Sequence, residues 1–397
     1  MAGSVRTPTT SNGSRKLKSN FMQLTCITSG LPPRIDGVGD YSLSLAREFR
    51  EGYGINTNFL VGDPTWIGEG KVEAFSVRKL TERKAAALND ALPQDQDATV
   101  LLHYGGYAYA QRGCPGWLVD ALTTWRMEYE GRRLVTIFHE LYASGPPWSS
   151  SFWLSRRQRN LTEQLARLSD RSLTSRAFYA ELLRKMGGRA ESLPVFSSIG
   201  EPDENAKPLS ARRRRLVVFG TRGRRVQVYR RSANDLNRVC RDLAIEEVLD
   251  IGREMGLDPS RLIEAPVVLR GELPGHEVQE TLLDSIAGVI DYPADMLGKS
   301  TIFAAYCAHR MIPLVAGYGE VAGSSDGLVA GVHYHMLADG GSENVARIKE
   351  LNLSSWQTIA DNALDWYQDH TLAEHARILA ASLLGETAAA EKALVMT

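Results

Sequence analysis

Cysteine is scarce in this chain: four in 397 residues, Cys26, Cys114, Cys240 and Cys307, with no Cys-x-x-Cys pair and no histidine spaced to complete a zinc site. A disulfide framework and a structural zinc module are thereby excluded, and reduced, mostly buried thiols in a cytoplasmic protein are expected. Long apolar runs are lacking too. No stretch approaches the ~20 residues that cross a bilayer, and residues 1–20, rich in Ser, Thr and Lys, carry no apolar segment of the secretory kind, so a disordered tail is expected there. Net charge is nearly absent: Lys plus Arg number 46 and Asp plus Glu 47, a formal -1 at pH 7. No overall field draws the chain to nucleic acid, and any anion site must be local. Acidic clusters at strand ends are missing as well. Asp95-Gln96-Asp97 precedes a strand and reads as a solvated turn, so no metal and no other cofactor is expected.

What is present is an alternation of strand and helix patterns. Phe21–Thr28 is a short β-leaning run, and Tyr41, Leu45 and Phe49 recur as one face of a helix. Between them lies LPPRIDGVGD, where Gly37 and Gly39 free the backbone for positive φ or close approach of an anion to N–H groups at a helix start. The other reading is a tight turn with Asp40 as N-cap. Thr57–Val61 is a second strand and Leu80–Leu92 a helical stretch. Ala98–Leu102 is continuously apolar, as a parallel strand buried on both faces should be, and runs into His103, Tyr104 and Gly105. After a helix over Trp117–Tyr129, Leu134–Phe138 repeats the pattern and runs into His139 and Glu140. Polar strand ends are where open α/β sheets place ligands, although each histidine could equally be a satisfied structural residue. A loop rich in Pro, Ser and aromatics leads to a helix over Phe152–Leu168, then come a strand, Arg171–Thr174, and a helix, Arg176–Lys185.

Composition shifts around residues 200–211, where Pro202 and Pro208 interrupt the pattern; domains over 21–199 and 212–397 are expected on either side. Leu216–Phe219 restarts the alternation and ends in Gly220, Thr221, Arg222, Gly223, Arg224 and Arg225. Arginine forks suit phosphate oxygens, and a solvated basic turn is the alternative. The run from Arg212 to Arg231 could also touch anionic lipid at the inner membrane face. Val248–Ile251, Val267–Leu269, Gly288–Tyr292 and Ile312–Ala316 are further strands, with a helix over Gly275–Leu283. From Gly298 the pattern is helical, which puts Lys299 and Ser300 in a first turn, where a lysine opposes the dipole and invites an anionic partner. Gly-Lys-Ser-Thr also suggests a phosphotransferase P-loop, but Pro293 stands where that loop needs glycine. The closing helices include Trp356 and Trp366. The fold class expected is α/β: two doubly wound, Rossmann-like domains facing a cleft.

Several of these segments together resemble one family. PPRIDGVGDYSLSLAREF, FHELY and the Leu216–Arg225 loop are similar to the glycine loop, sugar-side histidine and basic loop of GT-B glycosyltransferases of the large retaining group called family 4. The resemblance runs from about Phe21 to the C-terminal helices, which in such folds could pack back on the first domain. It implies a nucleotide-sugar donor, a glycan or lipid-linked acceptor, retention and no metal. Gly37 and Gly39 would face the donor diphosphate together with Arg222, Arg224, Arg225, Gly298, Lys299 and Ser300. His139 and Asp295 would act on the sugar, with Asp40, Tyr41, His103, Tyr104 and Glu140 on the acceptor or sugar side. The family's paired glutamates are matched only in part: Asp295 stands for the first and Phe303 for the second. That substitution leaves open a non-catalytic sugar-nucleotide or polysaccharide binder.

Overall fold

The computed structural model describes residues 21–34, 36–143, 148, 150–202, 206–317, 326–337 and 353–385. The tail over 1–20 and parts of the loop before Phe152 and of the glycine-rich segment after Gly317 lie outside them.

The first half begins with β1 (Met22–Thr28), α1 (Gly37–Tyr53), β2 (Ile55–Val61), β3 (Lys71–Val72), β4 (Phe75–Lys79), α2 (Ala85–Asn89) and β5 (Thr99–Tyr104). It continues through α3 (Gly106–Tyr109), α4 (Gly116–Glu128), β6 (Arg133–Phe138), α5 (Ser150–Leu168), β7 (Arg171–Thr174), α6 (Ala177–Lys185) and β8 (Ala190–Ser192). Its eight strands lie in the order β3-β4-β2-β1-β5-β6-β7-β8, parallel except for the β3/β4 hairpin. The second half contributes β9 (Arg213–Phe219), α7 (Arg222–Asp242), β10 (Glu247–Ile251), β11 (Val267–Gly271), α8 (Gly275–Leu283), β12 (Ser285–Ile290), α9 (Thr301–Ala308), β13 (Ile312–Val315) and β14 (His335–Met336). They form a parallel sheet in the order β11-β10-β9-β12-β13-β14. Helices α10 (Leu353–Gln368) and α11 (Leu372–Leu384) follow.

Each sheet is wound outward in two directions from a central strand, so the order reverses between β1 and β5 in the first and between β9 and β12 in the second. Crevices at such reversals, beyond the carboxyl ends of the strands, are where these sheets hold ligands. The apolar runs explain the strands: every residue of β5 and β12 is buried, as continuous hydrophobic segments flanked by helices on both faces require. Helix α1 shows the same logic in period 3.6, burying Tyr41, Leu45 and Phe49, and it stops at Gly54, whose φ of 57° suits a left-handed C-cap.

Three local expectations are corrected. The Leu80–Leu92 stretch is helical only over Ala85–Asn89; residues 81–84 are bends, and Lys84 at the N-cap position gives α2 no side-chain cap. The glycine-arginine segment is not a loop: α7 starts at Arg222 and runs 21 residues with a kink at Ser232. The helix after Gly298 begins only at Thr301, because Ala294–Lys299 is a 3-10 turn and Ser300 is the N-cap, its hydroxyl accepting from Phe303 N.

The chain crosses between halves twice. Residues 193–212 lead from β8 to β9, and after α10, which packs on α9 and β13, α11 returns to lie against α1. Glu201 Oε1 ties the crossings together by accepting from Tyr367 OH (2.5 Å) and Leu372 N (2.8 Å). Among the described residues, no helix is long and apolar enough to cross a membrane.

Candidate functional site

A cavity of about 360 Å³ opens at the β1/β5 reversal. It collects Ser29, Asp36 and Gly37 after β1, His103 and Gly105 at β5, His139 and Glu140 after β6, and Ser175 after β7. Lys299 and Thr301 reach it from the second half. Of the residues singled out from sequence, Gly37, Tyr41, His103, His139, Glu140 and Lys299 therefore meet in one place.

Asp36, not Asp40, caps α1. Its Oδ1 accepts from Val38 N (3.0 Å) and its Oδ2 from Ser29 Oγ (3.0 Å), while Asp40 is exposed on the helix. The two glycines differ in purpose. Gly37 has open space where a Cβ would stand, whereas a Cβ on Gly39 would meet Gly30 O at 2.6 Å, so Gly39 serves the packing of α1 on the β1 loop.

The histidines form a stacked pair, ring centroids 5.3 Å apart, with His103 Nδ1 3.0 Å from His139 Nε2. His103 Nε2 is buried without a partner. An orphaned lone pair is tolerated better than an orphaned N–H, so the network assigns the His103 proton to Nδ1, donating to His139 Nε2, and the His139 proton to Nδ1. His139 thus keeps one N–H for a ligand. Burial, and secondarily the charge of Lys299, holds its pKa down at about 4; burial, then His139, holds that of His103 well below the ordinary value. Both are neutral at pH 7.

Tyr41 touches both rings edge-on at 5.7 and 5.6 Å and stacks on Phe196. His375 of α11 donates from Nε2 to Pro194 O (2.8 Å), so its Nδ1 is the acceptor for Tyr41 OH (2.7 Å). Tyr104 is fully buried with its hydroxyl in the interior beside Thr162, which removes it from the candidate ligands.

Lys299 ends the 3-10 turn with Nζ 3.8 Å from Glu140 Oε1 and 5.9 Å from the Tyr179 ring, bridging the halves. Beside it, Arg176 Nη2 donates to Asp295 Oδ2 (2.8 Å) and Asp295 O (2.7 Å), and Val195 N donates to Gly298 O (2.9 Å). Asp295 thus stands where the halves meet, held by an arginine of the other half and outside the residues lining the cavity. Gly298 packs against Asp326 and Ser175 O, and Pro293 starts the 3-10 turn, so the segment lacks the glycine cradle that a P-loop needs.

The arginines separate. Arg225 is buried, ion-paired with Asp250 of β10, and also donates to Gly220 O and Arg253 O; it is structural, because a buried guanidinium must spend its donors inside. Arg222 donates to Met255 O (3.0 Å). Arg224 lies over the Tyr292 ring (4.7 Å) and donates to Asp291 O at the β9/β12 reversal. Asp291 is 1% exposed with neither carboxylate oxygen hydrogen-bonded, its pKa raised by burial. At the start of the basic run, Arg212 donates to the Lys207, Ser285 and His309 carbonyls, Arg213 pairs with Asp284, Arg214 donates to Leu243 O, and Arg215 pairs with Glu247.

A second cavity, about 420 Å³, lies at the ends of β10 and β11 and includes Gly252, Met255 and Gly271. Phe303 is fully buried against Tyr334 and Trp366, and α9 carries no acidic residue at any position. Asp36, Ser29, Arg176 and His375 were missed in sequence; only Asp36, an Asp-Gly before a helical pattern, left a local signal.

No protein-family model matches the sequence, and no curated protein is similar to it by sequence. Solved structures are similar. HepE from Anabaena, solved with UDP and glucose, shares 12% identity at a TM-score of 0.57, covering 91% of this chain and 99% of that one. An alpha-glucosyltransferase, AGT, in complex with UDP shares 12% at 0.52, covering 88% and 96%. The lipopolysaccharide outer core galactosyltransferase WaaB in its apo form shares 14% at 0.51, covering 92% and 100%. With parallel, doubly wound sheets in both halves and near-complete coverage of these structures, the chain has the GT-B glycosyltransferase fold.

Proposed function

We propose that this protein transfers a sugar from a nucleotide-activated donor to an acceptor hydroxyl at the cavity between its halves. The observation that carries the reading is the meeting of Lys299, from the second half, with His139, Glu140 and the α1 N-terminus of the first, at a sheet reversal. When the bond from the sugar's C1 to the diphosphate breaks, negative charge grows on the departing oxygen. Lys299, the α1 first-turn N–H groups and Arg224 supply fixed positive charge for it, in a role that other enzymes give to a metal. Metal-independent turnover is what the sequence resemblance implies. His139 Nδ1–H would donate to a sugar hydroxyl while Asp36 and Glu140 accept, and the cavity beyond β10 and β11 would take the nucleoside. UDP is the first nucleotide to try, because similar structures hold it. Retention and kinship with family 4 rest on the sequence resemblance alone.

The test is release of free nucleoside diphosphate from a panel of nucleotide sugars with acceptor mixtures, alongside thermal shifts; a ligand at ~100 times its dissociation constant adds ~2.7 kcal/mol. Turnover should survive a chelator. Loss on chelation with recovery on added magnesium or manganese overturns the metal-free part. A second reading, a sugar-nucleotide binder without turnover, is favoured by the absence of any carboxylate in α9. Thermal shifts without nucleotide release would select it.

A further inference from the structure

Cations from three segments of the first half gather on the loop over residues 62–66 that follows β2. Its Asp63 is paired with Arg34 of the β1–α1 loop (Nη1 to Oδ2, 2.7 Å) and with Arg83 of the segment after β4 (Nη2 to Oδ1, 3.3 Å). Lys79, the last residue of β4, donates from Nζ to Trp66 O (2.8 Å). Asp63 is buried. Burial pushes its pKa up, but the bonds from Thr65 and the two arginines outweigh that and leave it below the ordinary value, so it is ionised. Among the described residues it is the sole carboxylate paired with any of the three cations, and the cluster keeps an excess of positive charge.

Groups that only held loops together would spend their donors on one another. Here the Arg34 and Arg83 side chains remain 46% and 35% exposed, and Arg83 Nε is buried with no hydrogen-bond partner. A buried N–H without an acceptor is rare and costly, and a ligand oxygen would satisfy it. The base of the cluster is rigid. Gly62 N donates to Thr28 O (2.8 Å), Trp66 Nε1 to Leu31 O (2.7 Å), and Thr65 N and Oγ1 both donate to Asp63 Oδ1 (3.0 and 2.8 Å). Planar guanidinium forks held in this way suit the oxygens of a phosphate.

Topology sets the cluster beside the cavity. Strands β4, β2 and β1 are parallel neighbours, so the segments that follow them share the carboxyl edge with those after β5, β6 and β7. Ser29 and Asp36 of the β1–α1 loop line the cavity, while Arg34 of the same loop reaches Asp63. The second half closes on the other end, where Lys299 meets Glu140 after β6 and Gly298 meets Ser175 O after β7. A donor held by the second half therefore leaves the β1 and β2 side to the acceptor. From β1 to β4 is two strand spacings, about 10 Å, a distance that one small molecule spans.

We propose that Arg34, Lys79 and Arg83 form an anion subsite for a phosphomonoester, and that the acceptor is a small molecule carrying one. The acceptor half of this rests on the transferase reading. In that reaction a hydroxyl oxygen of the acceptor bonds to the sugar's C1 as the bond from C1 to the diphosphate breaks. The hydroxyl proton leaves with the nucleoside diphosphate, and the phosphomonoester stays intact in its subsite.

The whole protein is to be titrated calorimetrically with glycerol 3-phosphate, inorganic phosphate and glycerol, with arginine Nε–H resonances followed in parallel. Both phosphates should bind, glycerol should not, and the Arg83 Nε–H resonance should shift as they do. Arg83→Gln and Arg34→Gln should each raise the dissociation constant of glycerol 3-phosphate roughly 10- to 100-fold, the loss of a charge-assisted hydrogen bond. Arg83→Lys, which keeps the charge without the fork, should recover part of it, and Lys299→Ala should leave it unchanged. Equal melting temperatures would show that the variants fold. Glycerol binding as well as its phosphate, arginine variants that bind as the unmodified protein does, or phosphate binding lost in Lys299→Ala and kept in Arg83→Gln would each overturn the subsite. These titrations need no turnover, so their failure leaves a transferase with an uncharged acceptor, and a protein that binds the phosphates here but releases no nucleotide from any donor removes the transferase reading alone.

Discussion

Replacing Lys299 with alanine tests the donor site most directly. In the ligand-free protein Nζ stands 3.8 Å from Glu140 Oε1, and because Glu140 is exposed this pair contributes only ~0–1 kcal/mol. A diphosphate oxygen taking the same ammonium in a charge-assisted hydrogen bond gains ~1.5–3 kcal/mol. Binding must first break the pair, so the net loss on Lys299→Ala is ~1–2.5 kcal/mol, a roughly 5- to 70-fold rise in the dissociation constant of UDP. Glu140→Gln works in the opposite direction, releasing the lysine and tightening UDP by up to ~1 kcal/mol. Combined with Lys299→Ala it should add nothing, since the group it released is gone. Calorimetric titration of the four proteins measures this cycle. A second readout needs no ligand: Lys299 helps to hold the His139 pKa down at about 4, so Lys299→Ala must raise it, visible in the imidazole resonances across a pH titration. Unchanged UDP affinity in a folded Lys299→Ala protein, or a His139 titration that does not move upward, would refute the placement of this charge.

Three further outcomes are expected. Arg225→Ala leaves Asp250 buried with only Tyr229 OH (3.0 Å) and should cost ~3–5 kcal/mol in urea unfolding, far more than any effect on UDP affinity; normal stability with lost binding would reverse its assignment. His139→Ala and Asp295→Ala should each lower turnover strongly while leaving UDP binding nearly intact, the first through a lost sugar contact and the second through the Arg176 bridge; equal losses in UDP affinity and turnover would place them on the nucleotide instead. Burial holds the His375 pKa down at about 3 against an ordinary 6.5, so the unfolded chain takes up a proton that the folded one refuses. The stability this neutral ring contributes is complete above pH ~6.5 and falls as pH drops toward 3, by ~2 kcal/mol at pH 5; hydrogen exchange in α11 should accelerate over that range, and protection equal at pH 7 and pH 5 would contradict it.

Much of the architecture was legible because burial on both faces writes continuous apolar runs, as in β5 and β6, and the polar residues ending those runs, His103, His139 and Glu140, did converge. What local pattern could not reveal were partners supplied from far along the chain. Arg225 looked like a phosphate ligand until Asp250, 25 residues on and one strand over, claimed it. Tyr41 meets His375 across 334 residues. The choice of Asp36 over Asp40 as cap follows from Ser29, which folds back seven residues to hold its other oxygen. Lys299 was read into the first turn of the following helix, whereas it closes the 3-10 turn that precedes the Ser300 N-cap.

The return of α11 to the first half has a practical meaning. Leu372–Leu384 is the last described element, yet its His375 closes the hydrogen-bond chain from Pro194 to Tyr41, and Arg171 reaches Ser382 Oγ (2.9 Å). A protease cut between β8 and β9 would therefore leave two fragments that stay together through α11, migrating as one species until denatured. The first half expressed alone would instead be missing a wall, with Tyr41 and Phe196 uncovered. To obtain it as an independent piece, α11 has to be grafted onto its end.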